Sequence, residues 1–108
     1  MTQAQRLLAD ALAASGFVVR TEFKFHETRR WRIDVAVSSA TTPRKLAIEI
    51  DGGVWVQGRH TRGTGVTKDN EKIAHLAIDG WFFLRVTPQQ VMTGHALAWA
   101  RAILSPAE

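Results

Sequence analysis

The chain has 108 residues, a net charge of +4 and 45% hydrophobic content, which fits one domain with one modest core and excludes a disordered tail. It has no cysteine, which excludes disulfides and thiolate metal sites. No window approaches the ~18 apolar residues of a spanning helix, and "MTQAQRLLADALAASG" lacks a basic segment leading into a long apolar block, so a cytosolic protein, or a viral one made inside a cell, with no membrane partner is expected.

Residues 3–15 read as a helix, with Leu7, Leu8, Ala11 and Leu12 as its apolar stripe and Gly16 as its C-cap. Residues 17–26 read as a strand, with Val19, Thr21, Phe23 and Phe25 on one face. After the polar turn "ETRR", residues 31–37 form a second strand. Trp31, Ile33, Val35 and Val37 share one face, and Arg32, Asp34 and Ala36 the other. A turn at 38–44 leads to a third strand, 45–51, with Leu46, Ile48 and Ile50 opposite Ala47, Glu49 and Asp51. Residues 52–66 form a glycine-rich loop, of the kind that in small domains usually serves function. A second helix spans about 67–79, with Thr67 as N-cap. "WFFLRV" (81–86) is a continuous apolar run and reads as a buried strand. Thr87 caps a last helix, with Pro88 in its first turn, that runs to about Leu104. Trp81 and Trp99 read as core, and Trp31 as core or as a stacking surface. The predicted order is αβββαβα over residues 1–108: a single α/β domain with a mixed central sheet flanked by helices.

The acids carry the chemistry. Asp34 lies on the second strand, Glu49 and Asp51 on the third, and a short turn predicts that these strands pair as a hairpin. Carboxylates brought together repel one another unless a cation lies between them. Oxygen donors of this kind suit Mg²⁺ or Mn²⁺. Beside basic residues, such a site suits phosphodiester hydrolysis. The alternative is a hydrated sheet face whose acids pair with Arg32 or Lys45. Alanines at 36 and 47 argue that a helix covers this face, and covered acids without partners are costly. On the second helix, Asp69, Lys72, Ile73 and Leu76 fall on one side, so Asp69 and Lys72 look toward the strand end where Glu49 and Asp51 emerge. Otherwise Asp69 serves the helix dipole with Lys72 as its solvated partner. The sequence pI of about 10.4 fits a polyanionic partner, and Arg29, Arg30, Arg59, Arg62 and Lys68 flank the acidic segments.

These residues resemble the PD-(D/E)xK nuclease superfamily, in which an acid on one strand is followed by (D/E)-x-K on the next in an αβββαβ core. Asp34 matches the first acid and Glu49 the second, while Asp51 stands where the lysine is expected. Several branches carry that base on the following helix, where Lys72 lies. "EIDGGVW", "GRH", "TKDNEK" and "DGWFFLRVT" are similar to the very-short-patch-repair-like endonucleases, and "RRWRIDVA" through "GRHTRGTG" to small nucleases of bacteriophages and prophages. The resemblance covers about residues 31–87. It implies a restriction-endonuclease-like core and a bacterial or phage-infected host cell. Asp34 and Glu49 become metal ligands, with the Ile50 carbonyl as a third. Asp51 becomes a further ligand or a positioner of water, and His60 a general acid or phosphate binder. The superfamily often adds an acid from the first helix or its neighbour. Here that helix offers Asp10, Gln3 and Gln5, and the first strand offers Glu22 as an accessory residue. Arg29, Arg30, Arg59, Arg62 and Lys68 then contact DNA backbone, and Trp55 can stack on bases.

The expected function is therefore a Mg²⁺- or Mn²⁺-dependent DNA endonuclease acting through Asp34, Glu49, Asp51, Lys72 and His60. Two alternatives stay open. One is a catalytically weak or inactive DNA-binding module, motivated by the missing lysine at 51. The other is a homodimeric Holliday-junction resolvase.

Overall fold

The computed structural model describes residues 1–51 and 63–105, with side chains from residue 67 onward in the second stretch. Helix α1 (Gln3–Ala14) opens at Thr2, whose hydroxyl accepts from the Gln5 backbone N–H in a capping box. Strands β1 (Val18–Lys24), β2 (Arg32–Ser38) and β3 (Lys45–Ile50) follow, then helix α2 (Gly63–Ile78), strand β4 (Phe82–Val86), and helices α3 (Pro88–Met92) and α4 (His95–Leu104). The sheet order is β1-β2-β3-β4, antiparallel at the first two junctions and parallel between β3 and β4. The chain is thus a single α/β domain with a mixed sheet and flanking helices, as the sequence predicts.

Two helices cover one sheet face. Leu8 and Leu12 of α1 and Ala96, Ala100 and Leu104 of α4 pack on Val35, Val37, Leu46, Ile48 and Val86. The four-residue spacing on α4 puts both alanines against the sheet, where small side chains allow close approach. Arg44 ties down the end of α4 by donating to the carbonyls of Ile103 (2.8 Å) and Ser105 (3.0 Å). On the other face, Leu76 of α2 meets Ile33, Ala36 and Ala47, with Phe23, Phe25, Trp81 and Phe83 around them.

Four expectations are corrected. Helix α2 begins at Gly63, so Thr67 lies inside it rather than capping it. The last helix is two: Gly94, at φ +89°, lies outside the right-handed helical region and separates α3 from α4. The apolar run at 81–86 forms the sheet's edge, pairing only with β3 among the described residues, and Phe82 is 47% exposed. Trp99 is likewise not core, at 39% exposure.

The strand faces also differ from strict alternation. Thr21 pairs with Val35 and Phe23 with Ile33, yet Val35 packs under α1 and α4 while Ile33 and Phe23 pack under α2. Both strands rotate between these pairs, at Glu22 and Asp34. Glu22 takes a left-handed φ of +50°, alone in this among the described non-glycine residues. Such a conformation costs a side-chain-bearing residue about 1 kcal/mol or more. The rotation carries Ile33 away from Val35 and Val37, and Phe23 and Phe25 away from Val19.

Neighbouring leucines on α1 test this packing. Leu8 is 2% exposed and Leu7 43%. Leu8→Ala is expected to lower the urea-unfolding free energy by about 2–5 kcal/mol, and Leu7→Ala by less than about 1 kcal/mol. Equal losses would contradict the helix's orientation.

Candidate functional site

The β2–β3 ladder runs in register from Ser38↔Lys45 to Val35↔Ile48. Beyond that rung, side-chain carboxylates replace backbone carbonyls. The Ile50 N–H donates to Asp34 Oδ2 at 2.9 Å, and the Asp34 N–H to Glu49 Oε2 at 3.3 Å. Asp34 and Glu49 therefore meet between the strands, held by each other's backbones, as the hairpin pairing predicts.

Glu49 is half-buried. Its side chain is 18% exposed, and Lys72 Nζ, 16% exposed, lies 3.0 Å from Oε1. Burial pushes the Glu49 carboxyl above its ordinary value. The Lys72 ammonium opposes this, and the Asp34 charge adds to it. Lys72 thus stands beside Glu49, on the helix where the sequence places it.

Asp69 lies one turn before Lys72 but is exposed, and it pairs with Arg85 at 3.6 Å rather than with the acids. Glu49 and Arg85 are register partners across β3 and β4. Two ion pairs of opposite polarity, Glu49–Lys72 and Arg85–Asp69, thus fix α2 over this junction. The first turn of α2 carries no acid, so Asp69 is not a dipole partner there. Asp51 is half-buried, and its N–H donates to the Val86 carbonyl at 2.7 Å, extending the β3–β4 ladder.

Below Asp34, α1 supplies Gln5, which is 4% exposed. Its Nε2 donates to Glu22 Oε2 at 2.7 Å and to the Asp34 carbonyl at 2.9 Å, while its Oε1 accepts from the Thr2 N–H at 3.4 Å. The capping box fixes which way the amide points, and the amide then holds Glu22 beside Asp34. Arg32 stands 3.8 Å from the other Glu22 oxygen. Glu22, a minor expectation from sequence, is thus brought to the site by its unusual backbone, and Asp10 is exposed elsewhere on α1. Gln5 is the residue whose role the sequence reading missed, although "TQAQ" is a readable capping-box signature. Gln5, Glu22, Asp34 and Ile50 line a cleft of about 630 Å³ that opens beside α3.

The basic residues divide. Arg29 lies over the Trp31 ring (4.6 Å) and 3.7 Å from Glu71, bracing the β1–β2 connection against α2. Trp31 is half-buried and stacks on Phe25 at 6.0 Å. Arg30 and Lys68 are exposed, with no ion pair among the described residues. Trp55, Arg59, His60 and Arg62 lie outside the described residues.

Among the described residues no group of three or more histidine or acidic side chains could hold a metal ion. The donor set still fits Mg²⁺, which binds through one or two carboxylates and keeps waters or substrate phosphates as its remaining ligands. The raised Glu49 carboxyl beside Asp34 is a place where a cation relieves both burial and repulsion.

The Glu49–Lys72 pair makes a pH prediction. Because the folded carboxyl is raised above 4.5, its contribution to stability is complete below that pH and is lost as pH rises through the folded value. Lys72→Met removes the opposing charge and raises Glu49 further. The variant is expected to lose stability relative to the parent as pH rises above 4.5, by up to about 3 kcal/mol. Parallel urea-unfolding profiles across that range would show that Lys72 does not set Glu49's ionisation.

No family model matches the chain, and no curated protein or solved structure matches it.

Proposed function

We propose that the chain is a Mg²⁺-dependent DNA endonuclease with a restriction-endonuclease-like core, working in the cytoplasm of a bacterial or phage-infected cell. The observation that carries this reading is the pair of carboxylates set into the opened β2–β3 ladder with an ammonium 3.0 Å from one of them. Asp34 and Glu49, with the Ile50 carbonyl and Asp51, would hold the metal. Bound there, Mg²⁺ supplies Lewis acidity toward a phosphate oxygen and makes water a stronger nucleophile at neutral pH.

The chain's own groups do the rest. Asp34 is oriented by the Ile50 N–H and Glu49 by the Asp34 N–H, so neither needs to reorganise when ligand arrives. Lys72 offers donors to the negative charge that develops on the phosphate oxygens as water attacks phosphorus. Gln5 keeps Glu22 in place beside Asp34, adding negative potential to the cleft under α1. Arg30 and Lys68, exposed and with no ion pair among the described residues, are available to DNA phosphates, and on the family resemblance His60 protonates the leaving oxygen.

A second reading, a DNA-binding module without catalysis, is favoured by one observation: Asp51 has no lysine to offer, and Lys72 is already engaged by Glu49. Plasmid, single-strand, flap and junction substrates with Mg²⁺, Mn²⁺ or EDTA separate the two. The nuclease reading expects metal-dependent cleavage that Asp34→Ala or Glu49→Ala reduces by about 10²-fold or more, with the fold retained by circular dichroism. Normal cutting by both variants would place the site elsewhere. DNA binding that weakens steeply with salt, with no cleavage in any metal, would favour the binding module.

The metal itself has a separate readout. Mn²⁺ is expected to raise the melting temperature of the parent but not of an Asp34→Ala, Glu49→Ala double variant. The shift should shrink as pH falls through the raised Glu49 value, because the protonated carboxyl no longer binds the cation.

A further inference from the structure

On the α2 face of the sheet lies a shallow groove of about 170 Å³ whose lining includes Arg20, Phe23, Ala36, Ser38, Lys45 and Trp81. Along β2 its lining runs from Ala36 to Ser38, so it begins about 7 Å from Asp34, the length of two extended residues. Phe23 and Trp81 form a tilted ring pair at 6.1 Å. Lys45 Nζ lies 4.6 Å from the Trp81 centroid, and the Arg20 guanidinium 5.8 Å from the Phe23 centroid.

The charges distinguish this groove from a core edge. Arg29, Arg32, Lys72 and Arg85 each face a carboxylate. Arg20 and Lys45 have none among the described residues, and no acid lines the groove. Two cations that no acid neutralises, each above an aromatic ring, beside a hydroxyl, match a nucleotide: a π face for the base and positive charge for the phosphates that flank it. A paired base offers no free face, so the ligand is single-stranded.

We propose that this groove binds an unpaired base of single-stranded DNA, with the base taking the place of the Lys45 ammonium on the Trp81 ring and the flexible Lys45 and Arg20 side chains turning to the adjoining phosphates. The choice of DNA over RNA and the class of substrate that reaches both places rest on the nuclease reading. The groove would hold a strand that is already open near the acids, which makes a frayed, flapped or branched substrate the class that engages both places at once.

Fluorescence anisotropy of labelled oligo-dT in EDTA measures this without any cleavage. Trp81→Ala is expected to weaken binding about fivefold or more. Because Trp81 also packs beside the core, Arg20→Ala and Lys45→Ala provide a test on strand-surface side chains. Each is expected to weaken binding and to lower the slope of log affinity against log salt by about 0.7. A parent that does not bind oligo-dT, or Arg20→Ala and Lys45→Ala variants with parental affinity and slope, would overturn the proposal. Equal, Trp81-dependent binding of oligo-rU would overturn the assignment to DNA. If the chain cleaves nothing at all, the nuclease reading fails while the anisotropy result still decides the groove.

Discussion

Everything at the acidic end of this fold depends on one substitution of hydrogen-bonding partners. Where the β2–β3 ladder would continue with backbone carbonyls, the acceptors are Asp34 Oδ2 and Glu49 Oε2. The strands part there, yet their N–H groups stay satisfied, so the opening carries no penalty of unpaired donors. The same exchange makes the acids structural. Removing either carboxylate frees a backbone donor as well as a charge. It also explains how a partly buried Glu49 is tolerated: one oxygen takes the Asp34 N–H and the other the Lys72 ammonium, which together offset part of the cost of its burial.

The placement of the cation follows from the sheet. Asp51 donates its backbone N–H to the Val86 carbonyl and so extends the β3–β4 ladder beyond Ile50. Glu49 receives its positive partner from above, on α2. That helix is aligned by the second ion pair, Asp69 with Arg85, because residues three apart on a helix lie on one face and Glu49 and Arg85 are neighbours across the strands. With Lys72 approaching from α2, the cleft under α1 keeps an acidic wall of Glu22 and Asp34, whose spacing is set by the Gln5 amide.

How much of this was readable from sequence divides along a physical line. Periodicity placed the sheet strands and the helices, and Thr87 with Pro88 marked a helix start that the structure retains. The pairing of Asp34 with Glu49 followed from two strands and a short turn. Local pattern could not show the rotation at Glu22 and Asp34, because alternation assumes a regular backbone and a left-handed glutamate breaks it. The division at Gly94 was missed for a related reason: one glycine inside an apolar periodic segment is compatible with a continuous helix until its φ is known. β4 misled because an apolar run records contact with something, not which strand lies at the edge. Gln5 was present in the sequence as a cap, but its second task, holding Glu22 and Asp34, depends on three elements meeting.

The two faces of the sheet are covered unequally, and that inequality shapes where ligands can go. Strands about 4.8 Å apart make a four-stranded sheet about 14 Å wide between its outer strands, while a helix is about 10 Å across. Helices α1 and α4 together span that width on one face. On the other, α2 alone covers the middle, above the alanines at 36 and 47. The outer strands there carry Phe23, Trp81 and Phe83, large enough to shield the core without a second helix, with Arg20, Lys45 and Arg85 over their rings. Cations above aromatic rings are a way to finish a sheet face that no helix covers. They also leave positive charge and ring surface on the same face to which α2 brings Lys72. A strand of nucleic acid approaching from that side meets cations and rings next to the carboxylates and their ammonium, so uneven helix coverage by itself decides which face of the sheet is open to the ligand.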